Sequence, residues 1–171
     1  MDLIPSFQVD HTKIVPGIYE SRVDTLGEHY ATTFDVRMKT PNLEPVIHPN
    51  AMHTVEHIIA TFLRNDEEWK DRIIYWGPMG CLTGSYLIVQ GRPKPEEICA
   101  LLIRAFEYLA DYEGEIPGAD PKNCGNYLLH DLNMAKYEAR LYLDVLKNKP
   151  CFEYPKSERI VTDEGRVFFD S

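Results

Sequence analysis

Two stretches near the start read as strands, the second by the alternation of apolar and polar side chains. These are residues 18–23 and 30–38, and in the second Thr33, Asp35 and Arg37 alternate with Phe34, Val36 and Met38. Pro41, Pro45 and Pro49 then mark a loop. After it the period lengthens to that of a helix, predicted over 51–65 with Asn50 as its N-cap. Ile73 to Trp76 and Tyr86 to Gln90 read as two further strands around the glycine-punctuated turn Gly77-Pro78-Met79-Gly80-Cys81-Leu82-Thr83-Gly84. A second helix opens at Pro95-Glu96-Glu97, with proline in the first turn beside two acids, and runs to about Tyr112. Gly114 to Asn126 is a loop, and a third helix covers 131–147. Beyond Cys151 a short hairpin around Glu164-Gly165 is expected. Together these elements predict an α+β fold in which an antiparallel sheet packs against helices.

A length of 171 residues and 44% hydrophobic content fit one domain with a full core, the segment from about 150 to 171 being an extension of uncertain structure. The net charge of -9 leaves no basic patch with which to displace counterions from phosphates, so nucleic acid is not an expected partner. The N-terminus lacks the charged and apolar regions of a signal peptide, and no apolar run is long enough for a bilayer. The expected location is therefore the cytoplasm, with no membrane partner. Four cysteines lie far apart with no C-x-x-C pair, which in a reducing compartment argues against a disulfide framework. Cys99, among Ile98, Leu101 and Leu102, reads as core, and Cys151 carries no chemical signal.

The chemistry lies in the first helix. His53-Thr54-Val55-Glu56-His57 fits H-x-x-E-H, and 3.6 residues per turn set its two histidines about 40° apart on one face. Two imidazoles so placed reach one metal ion, while Glu56, about 60° to the other side of His53, serves the site without being a ligand. Arg64 returns to the same face, and Met52, Val55, Ile58, Ile59, Phe62 and Leu63 fill the opposite arc. A catalytic metal usually takes three protein ligands and one open position. Cys124, ahead of Gly125 in a proline- and glycine-rich loop, is the favoured third, giving a site suited to zinc or ferrous iron. From the turn alone, Cys81 is either structural or a reactive thiol. A metal face of this kind needs a cover, for which a second copy of the chain is a candidate. These residues by themselves also fit an inverse-zincin metallopeptidase with Glu56 activating water, and a non-catalytic metal-binding module.

The chain resembles the S-ribosylhomocysteine lyase (LuxS) family. The resemblance is carried by Ser6-Phe7-Gln8-Val9-Asp10-His11, Phe34-Asp35-Val36-Arg37, His53-Thr54-Val55-Glu56-His57, Pro78-Met79-Gly80-Cys81-Leu82-Thr83-Gly84, Glu115-Ile116-Pro117, Cys124-Gly125 and His130-Asp131-Leu132. It implies an inverse-zincin-like homodimer with two sites at the subunit interface. It also implies metal ligands His53, His57 and Cys124, ferrous iron as native ion with zinc or cobalt able to replace it, and Cys81 and Glu56 as the acid/base pair. Ser6, His11, Arg37 and Arg64 match positions that line or support the substrate site, with Arg64 a natural partner for the homocysteine carboxylate. The implied reaction cleaves the thioether of S-ribosylhomocysteine to homocysteine and 4,5-dihydroxy-2,3-pentanedione, precursor of the quorum-sensing signal autoinducer-2, within the methyl cycle. Before Pro78 the family often has Ile-Asp-Ile-Ser, where this chain has Tyr75-Trp76-Gly77.

Overall fold

The computed structural model describes residues 9–155, together with the backbone of two short strands, Ile160–Val161 and Val167–Phe168. Four strands form one antiparallel sheet: β1 (Gly17–Leu26), β2 (His29–Arg37), β3 (Ile73–Pro78) and β4 (Gly84–Gln90), in the order β1-β2-β4-β3. Three helices complete the fold, α1 (Pro49–Leu63), α2 (Pro95–Ala110) and α3 (Leu132–Asn148). The two short strands, β5 (Ile160–Val161) and β6 (Val167–Phe168), pair antiparallel as the expected terminal hairpin; its turn at Glu164-Gly165 lies outside the described residues.

Strand alternation divides the sheet into two faces. Ile18, Phe34, Val36, Leu87 and Val89 point to the helices and are fully buried with Val55, Ile58 and Ile59 of α1 and Leu102, Phe106 and Leu109 of α2. Burial of this apolar surface, at roughly 25 cal/mol per Å², is the main term holding the helices on the sheet. Cys99 belongs to this core, as its sequence context indicates.

Each helix begins with a device readable in its first residues. In α2 the Glu97 carboxylate accepts the backbone N–H of Lys94 at 2.8 Å, and in α3 Asp131 accepts the N–H of Met134 at 2.9 Å. α1 corrects the expectation. It starts at Pro49, and its N-cap is His48, whose ring accepts the N–H of Asn50 at 3.3 Å, so Asn50 lies inside the first turn. Proline fixes φ near the helical value and has no N–H to leave unsatisfied, which moves the start one residue upstream of the polar side chain that marked it.

The β2 alternation carries a second surprise. Asp35 and Arg37, on the face away from the helices, are as buried as the apolar set, each 2% exposed. They form an ion pair at 2.6 Å, covered on one side by Tyr154 and on the other by Thr83. A buried pair also joins Lys39 to Glu138 of α3 at 2.6 Å.

The turn between β3 and β4 is seated tightly on β2. Gly84 allows this, because a Cβ there would collide with the carbonyl oxygen of Val36. The Thr83 carbonyl accepts the N–H groups of Met38 and Lys39, and the Leu82 carbonyl accepts that of Ile47. These bonds fix the segment that carries Cys81.

Candidate metal centre and acid/base groups

The loop between α2 and α3 folds back over the polar face of α1. Its backbone supplies what the two helix histidines need: His53 Nδ1 donates to the Leu129 carbonyl at 2.8 Å, and His57 Nδ1 donates to the Pro117 carbonyl at 2.7 Å. A carbonyl oxygen only accepts, so in each neutral ring Nδ1 carries the proton and Nε2 keeps its lone pair for a metal. The same loop delivers Cys124. Asp120 organises the approach by accepting the backbone N–H groups of Lys122 and Asn123, while Cys124 N–H closes a turn on the Asp120 carbonyl. Cys124 Sγ then stands 3.5 Å from His53 Nε2.

The structure adds a residue to which the sequence assigned no role, His130. Donor atoms of His53, His57, Cys124 and His130 all lie within 4.8 Å of one another. The His130 ring stacks on His53 with centroids 4.2 Å apart and meets His57 edge-on at 4.8 Å. The Thr54 hydroxyl donates to the Asn50 carbonyl and receives the Asp131 N–H; its oxygen lies 3.2 Å from His130 Nδ1, which therefore donates to it. His130 Nε2 is left buried with no hydrogen-bond partner. Burial, followed by the neighbouring His53 and His57, lowers the His130 pKa to about 4, so the ring is neutral at neutral pH. Three imidazoles and a thiol converging here, with one ring nitrogen buried and unpartnered, fit a transition-metal ion. A signal for His130 was present in the sequence, a histidine immediately before the N-cap Asp131, but it points to this cluster only once the loop has folded.

Glu56 shares a cavity of about 380 Å³ with His53 and Cys124, roofed in part by Pro78 and Leu82. Cys81 is exposed and opens instead into a neighbouring cavity of about 290 Å³, with His11, Glu44 and Thr83. One chain thus brings Glu56 to the donor cluster and leaves Cys81 on the other side of the same turn. Partial burial pushes the Cys81 thiol up, but it is outweighed. The Thr83 hydroxyl at 3.1 Å, the Thr83 N–H and the Arg37 guanidinium at 3.8 Å together hold the thiol below its ordinary value. Arg37 supports this thiol from within the buried Asp35 pair. Arg64 sits at the C-cap of α1, exposed, with Nη2 donating to the Ile74 carbonyl at 3.1 Å, and is not among the residues lining the Glu56 cavity. Ser6 lies outside the described residues.

The S-ribosylhomocysteinase (LuxS) family model matches residues 4–151. The chain belongs to this family. Among its relatives, the S-ribosylhomocysteine lyase of Phocaeicola vulgatus is 54% identical over 161 residues, covering 92% of this chain and 100% of the relative. That of Porphyromonas gingivalis is 53% identical over 143 residues, covering 84% of this chain and 90% of the relative. That of Borreliella burgdorferi is 50% identical over 148 residues, covering 86% and 94%. The structure gives Tyr75-Trp76-Gly77 a packing role. Trp76 is buried and meets Phe106 edge-on, while the Tyr75 ring lies over Gly77 so closely that a Cβ at 77 would strike it. The tyrosine and the glycine therefore form a matched pair.

Among the described residues no helix is long and apolar enough to cross a membrane.

Proposed function

We propose that this protein is an S-ribosylhomocysteine lyase, cleaving the thioether carbon–sulfur bond of its substrate to release homocysteine and 4,5-dihydroxy-2,3-pentanedione. The observation that carries the reading is the convergence of the His53, His57 and Cys124 donors, two of which, His53 and Cys124, line one cavity with Glu56, in a chain of this family. His53, His57 and Cys124 would hold the metal. Ferrous iron is proposed as the native ion, with zinc or cobalt able to replace it, since two imidazoles and a thiolate suit all three. When bound, the ion supplies Lewis acidity toward a carbonyl oxygen of the opened sugar.

The proton work falls to the side chains. Breaking the bond by β-elimination requires a carbanion equivalent next to the carbon that bears sulfur, and hence a carbonyl moved along the sugar to acidify that position. Glu56 and Cys81 are proposed as the groups that take and return protons during this migration. A thiol held below its ordinary value by Thr83 and Arg37 is suited to taking a carbon-bound proton near neutral pH. Arg37 acts by supporting that thiol, and Ser6, His11 and Arg64 are proposed for substrate contact, His11 because it lines the Cys81 cavity.

We read the functional unit as a homodimer with sites at the interface. Support comes from the separation of Glu56 and Cys81 into two open cavities of one chain, which a second copy would join and shield from water. A cytoplasmic setting is proposed on the same grounds as the free thiols it would protect.

The deciding experiment is incubation of iron-loaded protein, prepared without oxygen, with S-ribosylhomocysteine and a thiol assay. Homocysteine release is expected, and its absence would overturn the reading. Cys81→Ala that keeps metal but loses turnover excludes a module that only binds metal. Solution mass checks the dimer; a fully active monomer would refute an interface site.

A further inference from the structure

The family match ends at residue 151, yet the chain beyond it reaches into the buried polar cluster behind Cys81. The Cys151 carbonyl accepts the Ile18 N–H at 2.9 Å, anchoring the segment after α3 on the first strand. Tyr154 then stacks on Tyr19, with centroids 4.6 Å apart and planes 11° from parallel. Its hydroxyl donates to Asp35 Oδ2 at 3.1 Å, the same oxygen that receives Arg37 Nη2 at 2.6 Å. The other arm of Arg37, Nη1, donates to Thr83 Oγ1 at 2.7 Å and faces Cys81 Sγ at 3.8 Å. An unbroken series of polar contacts therefore runs from the tail to the thiol.

We propose that Tyr154 is a positioning residue for Cys81, fixing the Asp35 carboxylate that holds Arg37 against Thr83 and the sulfur. The proposal rests on reading Cys81 as the acid/base thiol. Asp35 offsets the charge of Arg37, and a hydroxyl donating to Asp35 draws off part of that negative charge, leaving more of the guanidinium field for the thiolate. Geometry works in the same direction, because the Tyr154 contact keeps Asp35 from rotating and Arg37 from drifting off the sulfur. Among the described residues, the other titratable groups around the thiol are Tyr86 from β4 and His11 and Glu44 from the loops lining its cavity.

The test uses full-length, metal-loaded protein and follows iodoacetamide alkylation of the Cys81 peptide by mass spectrometry across pH. Tyr154→Phe keeps the stacked ring and removes only the hydroxyl. The alkylation midpoint is expected to rise by about half a unit to one unit, making the reaction about three- to tenfold slower near pH 7. A fluorinated tyrosine placed at 154 keeps the whole packed ring and strengthens the donor, so it is expected to move the midpoint down. This second protein decides the matter should Tyr154→Phe fold poorly. An unchanged midpoint in both proteins, with Tyr154→Leu only lowering the melting temperature, would reduce Tyr154 to a packing residue and overturn the proposal. Alkylation reads the thiol without turnover. A shifted midpoint in a chain that releases no homocysteine would uphold the positioning role and overturn only the reaction.

Discussion

His57 of α1 donates from Nδ1 to the carbonyl oxygen of Pro117 at 2.7 Å, and the residue that follows, Gly118, has φ of +70°. The carbonyl orients the ring, and the glycine supplies the backbone conformation that aims the carbonyl. Gly118→Ala places a Cβ 3.6 Å from His57 Nδ1, an ordinary contact, but in the left-handed region, at a cost of about 1 kcal/mol. We expect a modest drop in melting temperature together with about tenfold weaker metal binding, the scale typical of losing a ligand's outer partner. Titration with zinc against a competing chelator measures it. Unchanged affinity would show that the ring is aimed by α1 alone.

Cys124 and Glu56 share one cavity but should separate cleanly on mutation. Cys124→Ala is expected to lose the metal, because a proposed ligand is gone. Glu56→Gln is expected to retain it while turnover falls by about 10²–10⁴-fold, the usual contribution of an acid/base group. Metal content by elemental analysis, beside the thiol assay, distinguishes them. Metal loss from Glu56→Gln would make the carboxylate a ligand.

The Lys39–Glu138 pair is nearly enclosed, each side chain 9% exposed. Glu138→Ala strands a buried ammonium, with Glu44 3.8 Å away as the remaining acid, and is expected to destabilise by roughly 3 kcal/mol. Replacing both partners, Lys39→Met with Glu138→Leu, should restore most of that loss. Urea midpoints at constant slope read the difference; equal losses in the single and double variants would count against it.

Stability should fall at alkaline pH. Burial holds the phenols of Tyr19, Tyr142 and Tyr154 above the ordinary value of 10.0, with the Asp35 charge adding to all three. A group whose folded pKa is raised contributes fully below the unfolded value. Once pH passes about 10 the unfolded chain loses phenolic protons that the folded chain keeps, so unfolding is favoured increasingly from there upward. Exposed tyrosines such as Tyr30 and Tyr137 ionise first, and a second rise in phenolate absorbance near 295 nm should coincide with loss of helical circular dichroism. Completion of that second rise while the helices persist would show that the three hydroxyls are open to solvent.

Much of the fold is legible because local rules and tertiary packing agree. Period-two alternation places Phe34 and Val36 toward the core, and the helical wheel of α1 separates Ile58 and Ile59 from His53 and His57 as the structure does. Alternation says which residues share a face, however, and not whether the second face stays wet. Asp35 and Arg37 share the polar face of β2 yet are buried by Tyr154, which lies 119 residues from Asp35, and by Thr83. The H-x-x-E-H spacing is itself a short-range fact and marks half of the donor cluster. His130 joins through Thr54, 76 residues earlier, a contact that exists only after the loop closes over α1. Asn50 misled for the opposite reason: a local capping preference was overridden by the still more local constraint of Pro49.

The stack of Tyr154 on Tyr19 also bears on how the molecule is made. During translation, β1 and β2 leave the ribosome long before residue 154 is synthesised, so the nascent sheet carries Asp35 and Arg37 with their tyrosine cover still missing. The proposed setting of the Cys81 thiol can therefore be complete only after the segment following α3 is available to dock on the first strand. A polypeptide terminated just after α3 would contain every cluster donor and would lack the Tyr154 hydroxyl proposed to position that thiol.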